Sequence, residues 1–469
     1  MSIRSVPATS VAPGRISGEA AAGRWVVFAI VSVSLFMASV DQTIVATALP
    51  TLQRDLHAQV NWSSWTITIY ALGQILIMPL AGRLSEQWGR RRVFIAATVL
   101  FTATSLCCGF ANNIYLLVSL RALQAFGGGA FMPSATGIVA ELFGPDRDRA
   151  LGLFSSIFPI GGIVGPILGG VFVTYLSWRW IFFVNLPLGM LVVALSLALI
   201  PRSRRSANSR LDIHGVVLLG MTLLPAMFGI AYLGNGSSSP ASPEFLLPEL
   251  VAIISAVLFV RHSSRHSHPF IPADLLYGHG FGVMNLLNFL YGSAALGFAA
   301  LVPLYAEDRY DIHSLASGTL LIARAVGMIA VAGMAAMLLR RTGYRRPMVV
   351  GFLITASGLF LMARAPWVGS AYTWLAVSAA LCGIGMGMSN PAASNAALQL
   401  RPEEAASIAG LRGMFRQSGS IVAVSITTSI LASNAHPGLA QAHIFLVFAA
   451  IIVCILPLVF MVPEHRGTW

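Results

Sequence analysis

The sharpest chemical feature of the chain is one carboxylate inside an apolar run. Asp41 stands in WVVFAIVSVSLFMASVDQTIVATALP, Trp25 to Pro50. A helix rises about 1.5 Å per residue, so a helix entering a bilayer at Trp25 carries Asp41 roughly 24 Å along, inside a hydrocarbon core about 30 Å thick. A bare charge there is costly, so such a residue faces a bundle interior or a wet cavity, and its default reading is an ion or proton site. A buried acid satisfied for packing alone is the alternative. Arg121 lies at similar depth in another apolar run and needs a partner or water, with Gln124 one turn away on nearly the same face. Three more arginines, Arg324, Arg412 and Arg416, stand in apolar runs of the second half, the last two four residues apart on one face. Arg324 is a candidate to neutralise Asp41. Asn285, Asn288, Asn390 and Asn395 add polar groups that either contact a substrate or bond between helices.

The elements that must position these residues are membrane spans. The chain has 469 residues, 56% hydrophobic and 10% charged, with a mean hydropathy of +0.77. That excludes a soluble domain. The net charge of +12 would suggest nucleic acid in a soluble chain, but here the position of the charges relative to the spans decides, and no nucleic-acid partner is expected. All 29 basic residues are Arg, which removes P-loop and Schiff-base lysine chemistry, and the four cysteines show no metal-ligand spacing. No metal or other cofactor is expected.

Apolar runs predict spans at 25–49, 61–81, 93–111, 114–139, 150–176, 180–200, 213–233, 246–261, 280–304, 315–338, 347–364, 371–397, 406–432 and 441–462, fourteen in all. The run at 246–261 is the weakest. With this count, 21 arginines fall on one side and only Arg54, Arg179, Arg309 and Arg364 on the other, a positive-inside bias that puts both termini in the cytoplasm. The fold expected is all-α and polytopic: a cytoplasmic tail at 1–24, six helices over 25–200, two inserted helices over 201–275, six more over 276–463, and a tail at 464–469. The arrangement is 6+2+6.

Two loops echo each other. GRLSEQWGRRRVF, Gly82 to Phe94, follows the second span and LLRRTGYRRPMV, Leu338 to Val349, follows the tenth; both place a Gly two residues before an Arg pair. Related halves put a substrate site between them at midplane. Gly161, Gly165 and Gly169 recur every four residues beside Pro166 and Gly170, giving a smooth, bent face for close helix contact. In WRWIFFVNLPLG, Trp178 to Gly189, Trp178 and Trp180 around Arg179 read as an interfacial aromatic anchor, and Asn185 and Pro187 as shaping the sixth helix.

These segments carry a resemblance. GRLSEQWGRRR, with Gly82, Glu86, Gly89, Arg90 and Arg91, resembles the loop signature of the major facilitator superfamily, and RALQAFGGGA, Arg121 to Ala130, its fourth-helix arginine motif. GGIVGPILGG is similar to the fifth-helix signature of the antiporters, and DQTIVATALP and WRWIFFVNLPLG resemble segments of the fourteen-helix drug:proton antiporters. The chain departs from the pattern at Glu86, where the family usually has Asp, and at Gln87, where it has a basic residue. The resemblance implies Arg121 in proton transfer and the Gly-Pro face in sealing the path against leak.

The expectation is a monomeric carrier in the inner (plasma) membrane, not an enzyme, that exports amphiphilic small molecules in exchange for protons by alternating access, with Asp41 and Arg121 coupling and the proton gradient as energy source. A dedicated exporter of one endogenous metabolite, lipid or siderophore is the alternative. A receptor would lack a soluble signalling domain, and no acid, His or nucleophile cluster recurs at one depth to support an enzyme.

Overall fold

The computed structural model describes residues 18–58, 60–202, 212–233, 241–266, 269–278, 280–312, 314–432 and 434–464. Of the expected tails at 1–24 and 464–469 and the 201–211 loop, residues 1–17, 465–469 and 203–211 lie outside them, while 18–24 are already helical, which corrects the tail boundary at 24. Every regular element among the described residues is helical. Long apolar segments in lipid have no water for their backbone groups and satisfy them internally, which a helix does.

The first part of the chain forms α1 (Gly18–Asp55), α2 (Val60–Trp88), α3 (Arg90–Gly109), α4 (Ile114–Phe143), α5 (Arg147–Ser155), α6 (Ile157–Tyr175), α7 (Trp180–Phe183) and α8 (Asn185–Leu199). Then come α9 (Ile213–Leu233), α10 (Pro243–Arg265) and the short α11 (Ala273–Tyr277). The last part forms α12 (Phe281–Tyr291), α13 (Gly297–Tyr310), α14 (Ser314–Thr342), α15 (Arg345–Ala363), α16 (Ala371–Leu400), α17 (Ala405–Ala432), α18 (Pro437–Cys454) and α19 (Leu456–Val459).

Three of the breaks have one cause. Pro159, Pro187 and Pro457 lack the N–H that would bond the carbonyls of Ser155, Phe183 and Val453, so α5/α6, α7/α8 and α18/α19 each divide a single apolar run at that point. Twelve segments among the described residues are long and apolar enough to cross a membrane. They match twelve of the expected spans, including the weak run at 246–261, which becomes the 23-residue α10. The other two expected spans are helical but less uniform. The 280–304 run is divided into α12 and α13 by a wide helical turn at Gly292–Leu296, and α17 is diluted by Arg412, Arg416, Gln417 and several hydroxyls.

Small residues set the close contacts. A Cβ at Gly161, Gly165 or Gly169 would overlap Ser39, Thr43 and Thr47 of α1, so α6 lies directly on α1. Ser39 Oγ closes that contact by donating to Phe158 O at 2.5 Å. Gly170 is different: it is exposed and a Cβ there would meet nothing within 4 Å, so it is not part of the sealed face. The later part of the chain repeats the device, with Gly383 and Gly387 of α16 against the α14 backbone at Arg324 and Met328, and Gly385 against Gly351 and Thr355 of α15.

The pair α9 and α10 packs together, and α9 lies against both α2 and α17, with Trp65 and Phe228 stacked at 5.7 Å between centroids. Asp212 fastens the start of this pair. It accepts from Gly215 N and Phe270 N, both at 2.9 Å, and lies 2.9 Å from His262 Nε2 on α10. Burial opposes its charge, but these backbone donors and His262 together hold its carboxyl below the usual range.

Trp178 corrects the sequence reading. It is fully buried, with its indole N–H donated to Asp55 at 3.0 Å and Arg179 over its ring at 4.4 Å, because an indole donor removed from water must find an acceptor. Trp180 alone of the pair is exposed.

Candidate functional site

Asp41 sits two-thirds of the way along α1 and is 0% exposed; Arg121 on α4 is 1% exposed. Arg121 Nη1 donates to Asp41 Oδ2 at 2.6 Å and to Gln124 Oε1 at 2.7 Å, while its Nε donates to Thr66 O of α2 at 3.2 Å. Gln124 Nε2 in turn donates to Asp41 Oδ1 at 3.0 Å. A third donor comes from α8: Asn185 Nδ2 reaches Asp41 Oδ1 at 3.3 Å and Ser105 Oγ of α3 at 3.0 Å. Ser105 also accepts from Gln124 and donates its own O–H to Phe182 O at 3.0 Å. Beneath the guanidinium lies the Tyr70 ring, 3.9 Å from its centroid to Arg121 Cζ, and Gly128 leaves the room for it, since a Cβ there would overlap the Tyr70 hydroxyl. Five helices, α1, α2, α3, α4 and α8, thus meet at one acid.

The chemistry follows from the donor count. Three N–H donors converge on two carboxylate oxygens, the pattern an ionised carboxylate satisfies as an acceptor only. A proton on Asp41 would occupy one of those acceptor sites and cancel the charge that faces Arg121, so it would weaken this arrangement.

The structure brings Asp41, Arg121 and Gln124 together and leaves Arg324 out. Arg324 is on α14, and the partner of Asp41 is Arg121, which corrects the candidate pairing of Asp41 with Arg324. Asn185, Ser105 and Tyr70 were not singled out for chemistry from the sequence. Their signal was the presence of polar atoms inside apolar runs, which does not say which of them share a depth.

In the later part of the chain, α16 and α17 face each other in register. Arg416 Nη1 donates to Asn390 Oδ1 at 3.2 Å, and four residues earlier Arg412 Nη1 donates to Ser394 Oγ at 2.5 Å. Asn288, Tyr291, Met348, Phe352 and Asn390 line a small cavity beside them. Asn285 does not reach it: its amide is spent on the carbonyls of Leu275 and Leu276, at 2.8 and 3.0 Å, tying α11 to α12.

The two parts are latched at one end. Gly82 lies against the backbone of Ala406 and Ser407, and Glu86 accepts from Ser407 N at 2.9 Å and Ser407 Oγ at 2.6 Å, capping the start of α17. Arg83 stands 3.7 Å from the same carboxylate. Gly89 adopts φ +95, a conformation that favours glycine, and turns the chain so that Arg90 reaches Gly137 O at 2.7 Å, Glu141 at 3.1 Å and Glu403 O at 3.3 Å. Arg91 bonds Leu197 O. Asn395 Nδ2 adds a bond to Asp148 O at 3.2 Å across the same seam. The echo loop behaves otherwise: Arg345 binds Val462 O at 2.8 Å and lies 3.7 Å from Glu464, within its own part of the chain.

A bundle of long apolar helices in two glycine-packed groups, with a buried ion pair in one and a polar latch across the seam, defines a polytopic membrane carrier. The chain belongs to the Major Facilitator Superfamily, whose family model matches residues 31–424 and 284–468. It is 31% identical over 404 residues to the multidrug resistance protein B homolog of Mycobacterium tuberculosis (strain ATCC 25618 / H37Rv), covering 84% of this chain and 74% of that one. It is 27% identical over 408 residues to the multidrug transporter protein MdtP of Bacillus subtilis (strain 168), covering 87% and 74%, and 28% identical over 416 residues to the tetracenomycin C resistance and export protein of Streptomyces glaucescens, covering 87% and 75%. Its fold is that of the proton:xylose symporter XylE, with a TM-score of 0.69 at 14% identity over 96% of this chain and 98% of that one. The human organic anion transporter MFSD10 superposes equally, at 0.69 and 15% identity over 93% and 99%. The protein is a multi-pass membrane transporter.

Proposed function

We propose that the protein exports amphiphilic small molecules in exchange for protons by alternating access, with fourteen spans arranged 6+2+6 and both termini in the cytoplasm of a cell whose inner (plasma) membrane it occupies. The observation that carries the coupling is the buried Asp41, held by donors from Arg121, Gln124 and Asn185 in an arrangement that a proton on the acid disrupts. Among the described residues of 25–200 the other carboxylates stand at or near helix ends or in the turns between helices. The export reading draws on relatives named for multidrug transport and resistance, and the topology on the arginine bias and on the helical state of all fourteen apolar runs.

In that orientation the Glu86 and Arg90 contacts close the cytoplasmic end, so the conformation is the one that has already shut behind its substrate. Protonation of Asp41 from outside would free Arg121 and Asn185, loosen the meeting point of five helices and allow the seam to reopen inward. The carrier works as a monomer and draws on the proton gradient with no bound cofactor. A dedicated exporter of a single endogenous compound would use the same machinery, and the relative named for tetracenomycin C keeps that reading in view.

The test is an efflux assay in everted vesicles over a chemically diverse panel, with and without an imposed proton gradient. Gradient-dependent accumulation of several unrelated amphiphiles is expected. Accumulation of one compound alone would favour the dedicated exporter, and accumulation unaffected by collapsing the gradient would overturn proton coupling.

A further inference from the structure

The second group of helices holds buried positive charge with no acid to balance it. Helices α14 to α18 contain Arg324, Arg412 and Arg416 in their interiors and not one Asp or Glu, and in α12 and α13 the acids, Glu307 and Asp308, come only at the far end. Asp41, the carboxylate buried in the middle of a long helix of the first group, is taken by Arg121 on the other side of the seam. Among the described residues none of these three arginines is within salt-bridge distance of a carboxylate. Arg412 is 6% exposed, and its Nε and that of Arg324 are buried with no hydrogen-bond partner. Neutral acceptors, Ser394 for Arg412 and Asn390 for Arg416, take one N–H from each.

A guanidinium carries five donors and keeps its charge at any physiological pH, so burying Arg412 and half-burying Arg324 and Arg416, with one serine and one asparagine as acceptors, leaves most of the desolvation cost unmet. Such an arrangement persists in membrane proteins where the missing counter-charge arrives with a ligand. The geometry around it shows what the rest of that ligand meets. A cavity one side chain away from Arg416, closed down to about 10 Å³ in this conformation, is lined by Met284, Met348, Phe352 and Tyr291, with Asn390, the acceptor of Arg416, on its wall. Tyr291 and Phe352 stack at 5.1 Å, and the Tyr291 hydroxyl is tied to Ser389 at 3.0 Å, so an aromatic face is fixed there. Tyr291 is within electrostatic reach of both Arg324 and Arg416. The wide turn at Gly292–Leu296 follows it directly and lays its own backbone on that of Arg416, where a Cβ on Gly292 would overlap. Turns of this kind recur at functional sites.

We propose that this cavity is the substrate site and that its substrates are amphiphilic anions, an aromatic or aliphatic body against Tyr291, Phe352 and the methionines and a carboxylate or sulfonate on Arg324, Arg412 and Arg416. This rests on the exporter reading and adds the charge of its cargo. Forked donors suit planar or tetrahedral oxyanions, and a cationic drug would meet like charge in a low-dielectric site.

The experiment compares two probes that share a skeleton, 1-anilinonaphthalene-8-sulfonate and its uncharged analogue N-phenyl-1-naphthylamine, binding to the full chain in phosphatidylcholine nanodiscs, with empty discs subtracted. The sulfonate is expected to bind about tenfold tighter than the uncharged probe, and Arg416→Gln and Arg412→Gln each to remove about tenfold of that affinity while leaving the uncharged probe unchanged. Arg324→Gln provides a third variant should one of these not fold. Equal binding of the two probes by the parent, or sulfonate affinity untouched in all the folded variants, would overturn the anion site. Gradient-driven transport of the cation tetraphenylphosphonium without sulfonate binding would likewise overturn it and leave the exporter reading standing. Arginine-dependent sulfonate binding in a protein that moves nothing under a gradient would support the site and sink the exporter reading instead.

Discussion

Asp41 and Arg121 show what a buried ion pair does that a buried leucine would not. The pair gains little net stability, because desolvating both charges offsets most of their attraction, yet removing one partner strands the other charge. Arg121→Ala is therefore expected to lower stability by roughly 3–5 kcal/mol, read as a loss of thermal stability in detergent, and an Asp41→Asn/Arg121→Gln double variant should recover part of it. A single variant as stable as the parent would mean that water already reaches the pair. From the sequence, the acid, the arginine and Gln124 were legible as depth-matched polar residues. Asn185 was legible only as a polar residue in an apolar run, because its role depends on the break that Pro187 makes between α7 and α8, which brings α8 in beside α1. Arg324 misled: its charge was visible, and nothing in one sequence says that it faces the other side of the seam. Ser407 carried no signal at all, since its partner Glu86 lies 321 residues away.

Helix contacts give sharper tests, because glycines that look alike in sequence differ in what they face. Gly165→Leu drives a side chain into Thr43 and is expected to cost on the order of 1–3 kcal/mol or more and to abolish transport with the protein still inserted. Gly170→Leu meets nothing and should transport normally. Full activity of the first variant would show that α1 and α6 separate freely in the cycle. Asp212 holds the inserted pair through an acid whose folded-state titration is depressed. Its contribution is therefore present above the unfolded carboxyl value, about 3.9, and fades as pH falls through the lower folded value. Melting of the parent should exceed that of Asp212→Asn at pH 7 and 5 and converge with it below about pH 4; a constant gap across that range would refute the assignment. The expected spans anticipated the helices closely, including α10, because membrane-length apolar runs leave the backbone little choice. The subdivisions at Pro159, Pro187 and Pro457 and the wide turn at Gly292 were not anticipated; the turn answers to the close approach of α17.

At the scale of the whole molecule, the arrangement couples a charge switch to a seam. One group of helices carries the Asp41 network, the other the arginine cavity, and the latch at Glu86, Arg90 and Asn395 joins them at one end. The proposed topology has a direct check: cysteines placed at 201–211 should label only from the cytoplasm and those at 234–245 only from outside, and labelling of the latter from inside alone would remove two spans from the count. The central claim is that Asp41 loads and unloads the proton that drives export, and it is tested most directly by following substrate-induced proton release with a pH dye in purified, weakly buffered protein. The parent should release protons when it binds substrate. Asp41→Asn, which keeps the side chain's size and loses its titration, should bind substrate, release none and fail to pump under a gradient. Proton release and pumping by Asp41→Asn at the parent's level would contradict the account and move the coupling site elsewhere, with Glu307 and Asp308 at the end of α13 next in line.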